Sequence, residues 1–169
     1  ERAGLDAMSA GVCLGWATEA FSNGLVTEED TYIPLKFGDA AMYKRAIWFL
    51  SERKNKFWSA LANGCDYASD IYGGKDFAMA IAKNETPGYH TGYGSLIGAA
   101  AGARHSHLCN GGYSIDQGLK NFNPLDFDKE NLVAQIFNEE KERCMLNSLI
   151  ICLFARKVYK RTTILAALN

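Results

Sequence analysis

The stretch LDAMSAGVCLGWATEAF, residues 5–21, decides the fold class. Leu5, Met8, Val12 and Trp16 recur at steps of three, four and four. That spacing lines one face of an α-helix and fits no strand, whose faces alternate at every second residue. Asn23-Gly24 closes the segment, since either residue tolerates the left-handed conformation that follows a helix end. Thr27 with Asp30 three residues on is a capping pattern for a short helix or turn.

Working outward, the rest of the chain repeats this pattern. Asp39 is placed to cap a helix whose stripe is Met42, Ala46, Leu50, Phe57 and Leu61. Lys44, Arg45, Glu52, Arg53, Lys54 and Lys56 cover its other faces, and Asn63-Gly64 ends it. Residues 66–72 predict a short helix stopping at Gly73-Gly74, and residues 75–82 a third helical piece. Residues 83–93, KNETPGYHTGY, read as an ordered loop, because Pro87 keeps Thr86 out of the helical region. A helix of small residues, SLIGAAAGAR, covers 95–104 and allows close approach of a backbone or a bulky ligand. Asn110-Gly111-Gly112 is a turn, and residues 117–127, with Asn123-Pro124, are a linker. Asp128 caps a helix over 129–141 with Val133, Ile136 and Phe137 inward. Residues 145–159 read as one apolar helix, too hydrophobic all round for a surface. No period-two alternation is sustained anywhere. The expected class is all-α, an irregular multi-helix bundle, with domains at 1–117 and 118–169.

Composition sets the outer bounds. The chain has 169 residues, 48% apolar and 22% charged, which suits a globular protein that buries a real core. Eighteen basic residues balance nineteen acidic ones, which argues against nucleic acid as a main partner. The longest apolar run, 149–155, falls far short of the roughly 18 residues a membrane helix needs. No secretory signal opens the chain, so a cytoplasmic setting is expected. It begins at Glu1 without methionine, which suggests a piece of something longer. Cys13, Cys65, Cys109, Cys144 and Cys152 form no Cys-x-x-Cys pair, so neither a self-contained zinc site nor a thioredoxin-type site is visible. A reducing compartment with mostly free thiols follows.

The candidate chemistry is concentrated late in the chain. All three histidines, His90, His105 and His107, lie within 18 residues. His-x-His is a common metal-ligand spacing, and a histidine in a glycine-rich loop suits acid–base work. The plain alternative is that they are ordinary polar groups at a helix end. Cys152, inside LIICLFA, reads on composition alone as a small buried hydrophobe. Asn147 and Ser148 open that run and either bond a ligand's edge or cap locally. Asp6 is either a ligand or an N-cap. Arg104 and Lys83 are anion binders or solvated charges. Trp16, Trp48 and Trp58 read as core residues rather than a stacking platform, since they share no tight motif.

Taken together and in order, these segments resemble the aldehyde ferredoxin oxidoreductases, tungsten or molybdenum enzymes with a bis-pyranopterin cofactor and a [4Fe-4S] cluster. Glu1-Arg2-Ala3-Gly4-Leu5-Asp6 is similar to the family's first pterin motif, Asp-x-x-Gly-Leu-Asp. Leu35-Lys36-Phe37-Gly38-Asp39 resembles its Leu-x-Phe-Gly-Asp helix start. Leu61-Ala62-Asn63-Gly64, followed by Tyr72-Gly73, resembles Leu-Ala-x-Gly … Gly. Lys83-Asn84-Glu85-Thr86-Pro87-Gly88-Tyr89-His90 resembles Lys-Gly-x-Glu-x-Pro-x-Tyr-Asp. Arg104 with His107-Leu108 resembles Arg-Gly-x-x-His-Leu, and Asn147-Ser148-Leu149-Ile150-Ile151-Cys152-Leu153-Phe154 the second pterin motif, Asp-Ser-Leu-Gly-Leu-Cys-x-Phe.

The resemblance implies roles. Asp6, Glu1 and Asn147 would bond the amine and amide edges of the two pterins, whose rims are rich in N–H donors. Cys152 would be the fourth thiolate on the cluster, in apolar surroundings that help set its potential. His107 would be the proton donor or acceptor near the metal, with His105 the runner-up, since Arg-x-x-His here is one residue shorter than in the family. Arg104, Lys83 and Tyr89 would line the pocket or bond cofactor phosphates, with Ser148 beside Asn147. An aldehyde, ferredoxin or a similar acceptor, and the rest of a parent chain are the implied partners. Glu1 and Asn147 stand where aspartate is usual, Ile150 replaces a glycine, and His90-Thr91-Gly92 replaces Asp-Pro-Arg. The family's Cys-x-x-Cys-x-x-x-Cys cluster motif and its β-rich pterin-binding domain are not among these residues. A helical interaction module without catalysis, or a small histidine-based metal protein, are the other readings.

Overall fold

A computed structural model of the chain describes residues 1–88, 92–106, 108–118, 128–156, 158–159 and 161–168. Among the described residues there are nine α-helices and a single two-stranded antiparallel sheet, so the expected all-α class holds. The chain forms two compact units, Glu1–Gly88 and Tyr89–Asn169. This division lies earlier than the one placed at 117/118 from the linker, and residues 119–127 of that linker lie outside the described ones.

The first unit opens with α1, Ala7–Ser22, whose N-terminus is capped by Asp6 accepting from the Ser9 N–H at 2.8 Å. The Thr27/Asp30 capping box starts α2, Glu28–Thr31, and Asp39 caps α3, Ala40–Glu52, accepting from the Met42 N–H at 2.9 Å. The long stripe read through Leu61 is in fact divided. Arg53 adopts the left-handed conformation at φ 50° and Asn55 caps a new helix, α4, Lys56–Leu61, accepting from the Trp58 N–H at 3.0 Å. A cap and a polar Arg-Lys-Asn run outweigh the continuous apolar spacing there. Next comes α5, Cys65–Tyr72. The helix expected over 75–82 is a correction: only Lys75–Phe77 makes a 3-10 turn, and Ala80–Ile81 (β1) pairs with Asn84–Glu85 (β2) across Ala82 and Lys83, both at positive φ. A two-residue hairpin is too short to show any alternation in sequence. The core of this unit joins Trp16 and Ala17 of α1, Ile33, Leu35, Leu50 of α3, and Phe57, Trp58 and Leu61 of α4.

In the second unit, α6 (Tyr93–Ala101) packs closely on α7 (Gly112–Gly118), and both meet α8 (Lys129–Ser148); α9 is Arg161–Leu168. Asp116 stitches α7 to the start of α6, accepting from the Gly94 N–H at 3.0 Å and the Ser95 N–H at 2.7 Å. From α8, Arg143 is 1% exposed and pairs with Glu139 at 2.9 Å. It also donates to Ser114 Oγ at 3.3 Å and lies 5.7 Å from the centre of the Tyr113 ring. Asp128 caps α8 as read. Of its expected inward residues Ile136 is buried, whereas Val133 and Phe137 are exposed; Leu132, Ile136, Arg143 and Leu146 form the covered face.

The apolar helix expected over 145–159 is likewise corrected. The helix ends at Ser148, and the Ile151 N–H closes back on the Leu146 carbonyl at 2.9 Å with Ile150 in the left-handed region at φ 57°. That is a Schellman-type helix end, which glycine ordinarily occupies. Ile150 therefore stands, at the position where the resembled motif has glycine, in a conformation that costs a side chain about 1–2 kcal/mol. Its side chain is 94% exposed and contributes little packing. Ile150→Gly is expected to stabilise this unit by about 1 kcal/mol, the relief of strain being partly offset by the freer unfolded chain. Chemical unfolding checks it, and an unchanged or lower midpoint would show that Ile150 is not strained.

Candidate functional site

Four separated pieces of sequence meet around one cavity of the first unit, one of them Leu50 of α3. Its volume is about 270 Å³, near the lower end of small-molecule sites. Asp6 and Ser9 reach it from the start of α1, Leu61, Ala62, Asn63 and Gly64 from the end of α4, and Glu85 from β2. Its polar lining residues are Asp6, Ser9, Asn63 and Glu85, two of them carboxylates that accept hydrogen bonds. Gly64 is required here. At φ 107° it has a left-handed backbone, and a Cβ would come within 2.7 Å of Glu85 Oε1.

Glu85 holds the back of this cavity. Its Oε1 accepts from the Cys65 N–H at 3.1 Å, at the first turn of α5, and from the Cys13 thiol at 3.6 Å. Cys13 and Cys65 are both buried and free. The Cys13 thiol is pushed well above its ordinary value by its hydrogen bond to Cys65, with burial and the Glu85 charge adding to it. The same hydrogen bond pulls Cys65 down. Glu85 lies within a resembled motif that implies no role for it, and no spacing in the sequence points to Cys13.

A second cavity, of about 220 Å³, lies in the other unit and is lined by Arg104, Cys144, Asn147 and Ser148. Three of these four were read from sequence as ligand contacts. Ser148 Oγ donates to the Cys144 carbonyl at 2.8 Å, and the Asn147 side-chain N–H to Cys109 Sγ at 3.6 Å. Arg104 is exposed, and its guanidinium presents a rigid fork of donors suited to phosphate or carboxylate.

The remaining candidates are dispersed. Glu1 and Lys83 are exposed and line neither cavity, Lys83 lying in the β1–β2 turn at φ 67°. His105 is half-buried, with Nδ1 3.0 Å from the Ala99 carbonyl. A carbonyl only accepts, so that bond puts the proton on Nδ1 and leaves Nε2 as the acceptor. His107, His90 and Tyr89 lie outside the described residues. Cys152 is exposed rather than the buried hydrophobe composition suggested, because the chain has left the helix before reaching it. Among the described residues no three His, Cys, Asp or Glu side chains are grouped to hold a metal ion. None of their helices is long and apolar enough to cross a membrane.

The family model described as aldehyde ferredoxin oxidoreductase, domains 2 & 3, matches residues 1–169. No curated protein and no solved structure matches the chain.

Proposed function

Since this chain belongs to the aldehyde ferredoxin oxidoreductase family, we propose that it supplies the helical part of a tungsten or molybdenum bis-pyranopterin enzyme of the cytoplasm. Such an enzyme oxidises an aldehyde to a carboxylic acid and passes the electrons to ferredoxin or a similar acceptor. The observation that carries the reading is the convergence of Asp6, Leu61–Gly64 and Glu85, from three family-like motifs, on one cavity that holds two carboxylates.

The donor chemistry fits one group and not the other. A pterin edge rich in N–H suits the Asp6 and Glu85 carboxylates in the first cavity, and Arg104, Asn147 and Ser148 offer donors and acceptors to a second, phosphate-bearing edge. A [4Fe-4S] cluster does not fit among the described residues, where Cys152 is a single exposed thiol without grouped partners; its other ligands would come from the parent chain. When bound, the metal–pterin group supplies the two-electron chemistry that turns an aldehyde and water into an acid. The role of this chain is to orient that group and handle protons. Asp6, already fixed by the Ser9 N–H, is held rigid for a pterin edge. His107 is the proposed proton carrier. His105 is the alternative, its Nε2 kept as an acceptor by the Ala99 carbonyl.

Elemental and pterin analysis of the full-length protein tests this. Tungsten or molybdenum together with pterin and iron is the expected result, and their joint absence would leave a helical interaction module. Asp6→Ala and Asn147→Ala are each expected to weaken pterin retention about tenfold, as loss of a charge-assisted or buried hydrogen bond worth roughly 1.5 kcal/mol implies. Residues 1–169 alone are expected to oxidise no aldehyde and hold no tungsten, and activity from them would overturn the division of labour.

A further inference from the structure

The outer side of α3 and its flanks carry the positive charge of the first unit. Lys36, Lys44, Arg45, Arg53, Lys54 and Lys56 are all exposed, and only Asp39 and Glu52 oppose them between residues 36 and 56. The rest of the unit sets three Lys and Arg against ten carboxylates, so its charge is segregated rather than mixed. Little of the positive side is neutralised. Lys36, Lys44 and Lys56 form no ion pair among the described residues. Lys54 meets Glu52 at 3.6 Å in an exposed pair, which contributes little. Arg45 lies 6.0 Å from the centre of the Phe49 ring, and Arg53 donates to the Asn63 side-chain oxygen at 3.3 Å.

An aromatic ring stands in the middle of this charge. Lys44, Arg45, Trp48 and Glu52 are spaced by three and four residues and share one face of α3. Trp48 is 52% exposed, and Phe37, just ahead of the Asp39 cap, is exposed as well. Leu50 follows Trp48 by two residues, about 200° round the helix. It is buried and lines the first cavity. The basic face and the cavity wall are therefore opposite sides of one helix.

We propose that this face of α3 is the docking surface for the protein electron acceptor, which meets it with a carboxylate-rich face of its own. That the partner carries electrons rests on the proposed function; that it is acidic follows from the segregated charge. Unpaired exposed cations steer an acidic protein toward the face and set its orientation. Trp48 and Arg45 are the residue types that anchor the centre of an interface, and the lysines make the polar rim. Nucleic acid fits less well. Its phosphates would meet Asp39 and Glu52 at the two ends of the helix, and α3 carries no second ring on that face to stack the next base. With 13 residues, α3 is about 20 Å long, room for one small interface of the kind transient redox partners use. Contact built on exposed charge is weak and salt-sensitive, which lets a carrier leave after each transfer.

Titration of the full-length protein with a ferredoxin of net negative charge, followed by calorimetry without turnover, tests it. Wild type is expected to bind at low salt and to weaken about tenfold or more at about 0.3 M salt. Lys44→Glu with Arg45→Glu is expected to weaken low-salt binding about tenfold or more, and Trp48→Ala about tenfold. Lys129→Glu with Lys141→Glu makes the same change in net charge on exposed residues of α8 and is expected to leave binding unchanged. The substituted residues are all exposed, and circular dichroism checks that each variant folds. Absence of binding at low salt would overturn the proposal, as would equal affinity of the α3 variants and wild type. Duplex DNA held by the α3 cations in place of ferredoxin would overturn it too. Dye-linked aldehyde oxidation by the same preparations keeps the two readings apart. An active enzyme whose ferredoxin binding ignores α3 removes the docking surface alone, and an inactive protein that binds ferredoxin through α3 removes the reaction alone.

Discussion

Gly112→Ala is expected to destabilise the second unit by about 3 kcal/mol or more, and to leave α6 and α7 unpaired. The two helices meet backbone to backbone at this point. A Cβ on Gly112 would overlap the carbonyl carbon and oxygen of Gly94 and come within 2.9 Å of the Ser95 amide. These atoms are not the far ends of flexible side chains. Gly94 and Ser95 donate their amides to Asp116, so the backbone they belong to is held from the α7 side as well. Relieving the overlap means moving α6 away from α7, which stretches both of those hydrogen bonds. Overpacking a well-packed contact usually costs about 1–3 kcal/mol, and more where backbone has to give. Gly118→Ala, at the far end of the same helix with nothing within 4 Å of the new methyl, is the control and is expected to be close to neutral. Circular dichroism during urea unfolding separates the two. Equal midpoints would mean that the helices do not touch at Gly112.

How much of this was legible beforehand depended on the kind of signal each residue carries. Asp39 and Asp128 read as caps and Thr27 with Asp30 as a capping box, and all cap, while Asp6, legible as either a ligand or an N-cap, caps α1, because a capping side chain bonds an amide only two or three residues away. Asn55 was missed as a cap because Leu50, Phe57 and Leu61 keep an unbroken apolar rhythm across it. The end of α8 was missed for the opposite reason. Nothing in Ile150-Ile151 signals a stop, and the helix closes on a β-branched residue in a conformation that favours glycine. The apolar run beyond it is not a core helix: Phe154 is 91% exposed, and Cys152 is exposed with it. For the site, order along the chain brought out Asp6, Arg104, Asn147 and Ser148, and the fold places them in two cavities, one in each unit. Cys13 and Glu85 are 72 residues apart, and no local pattern announces that they meet.

Trp58→Ala is expected to cost the first unit about 3–5 kcal/mol, the range for removing a large aromatic from a closed core. Trp58 has no exposed surface. Its ring meets Phe57 edge-on at 5.1 Å and Phe49 at 5.8 Å, which ties α4 to α3. Its indole N–H donates to the Thr31 carbonyl at 3.1 Å, which ties α4 to the end of α2. Alanine leaves a void among side chains fixed by three separate helices, and such a wall collapses only partly. Trp58→Phe separates the two contributions. It keeps most of the apolar volume and loses the indole donor, and it is expected to cost about 1–3 kcal/mol, the penalty for stranding a buried acceptor. The consequence reaches the cavity through chain continuity, since Leu61, Ala62, Asn63 and Gly64 follow directly from the helix that Trp58 anchors. The alanine variant is therefore expected to lose protection of the Cys65 amide against hydrogen exchange, because that amide is held by Glu85 across the same cavity. A variant that unfolds at a much lower urea concentration yet keeps the Cys65 amide protected in the native state would show that the cavity is held by α1 and the hairpin alone.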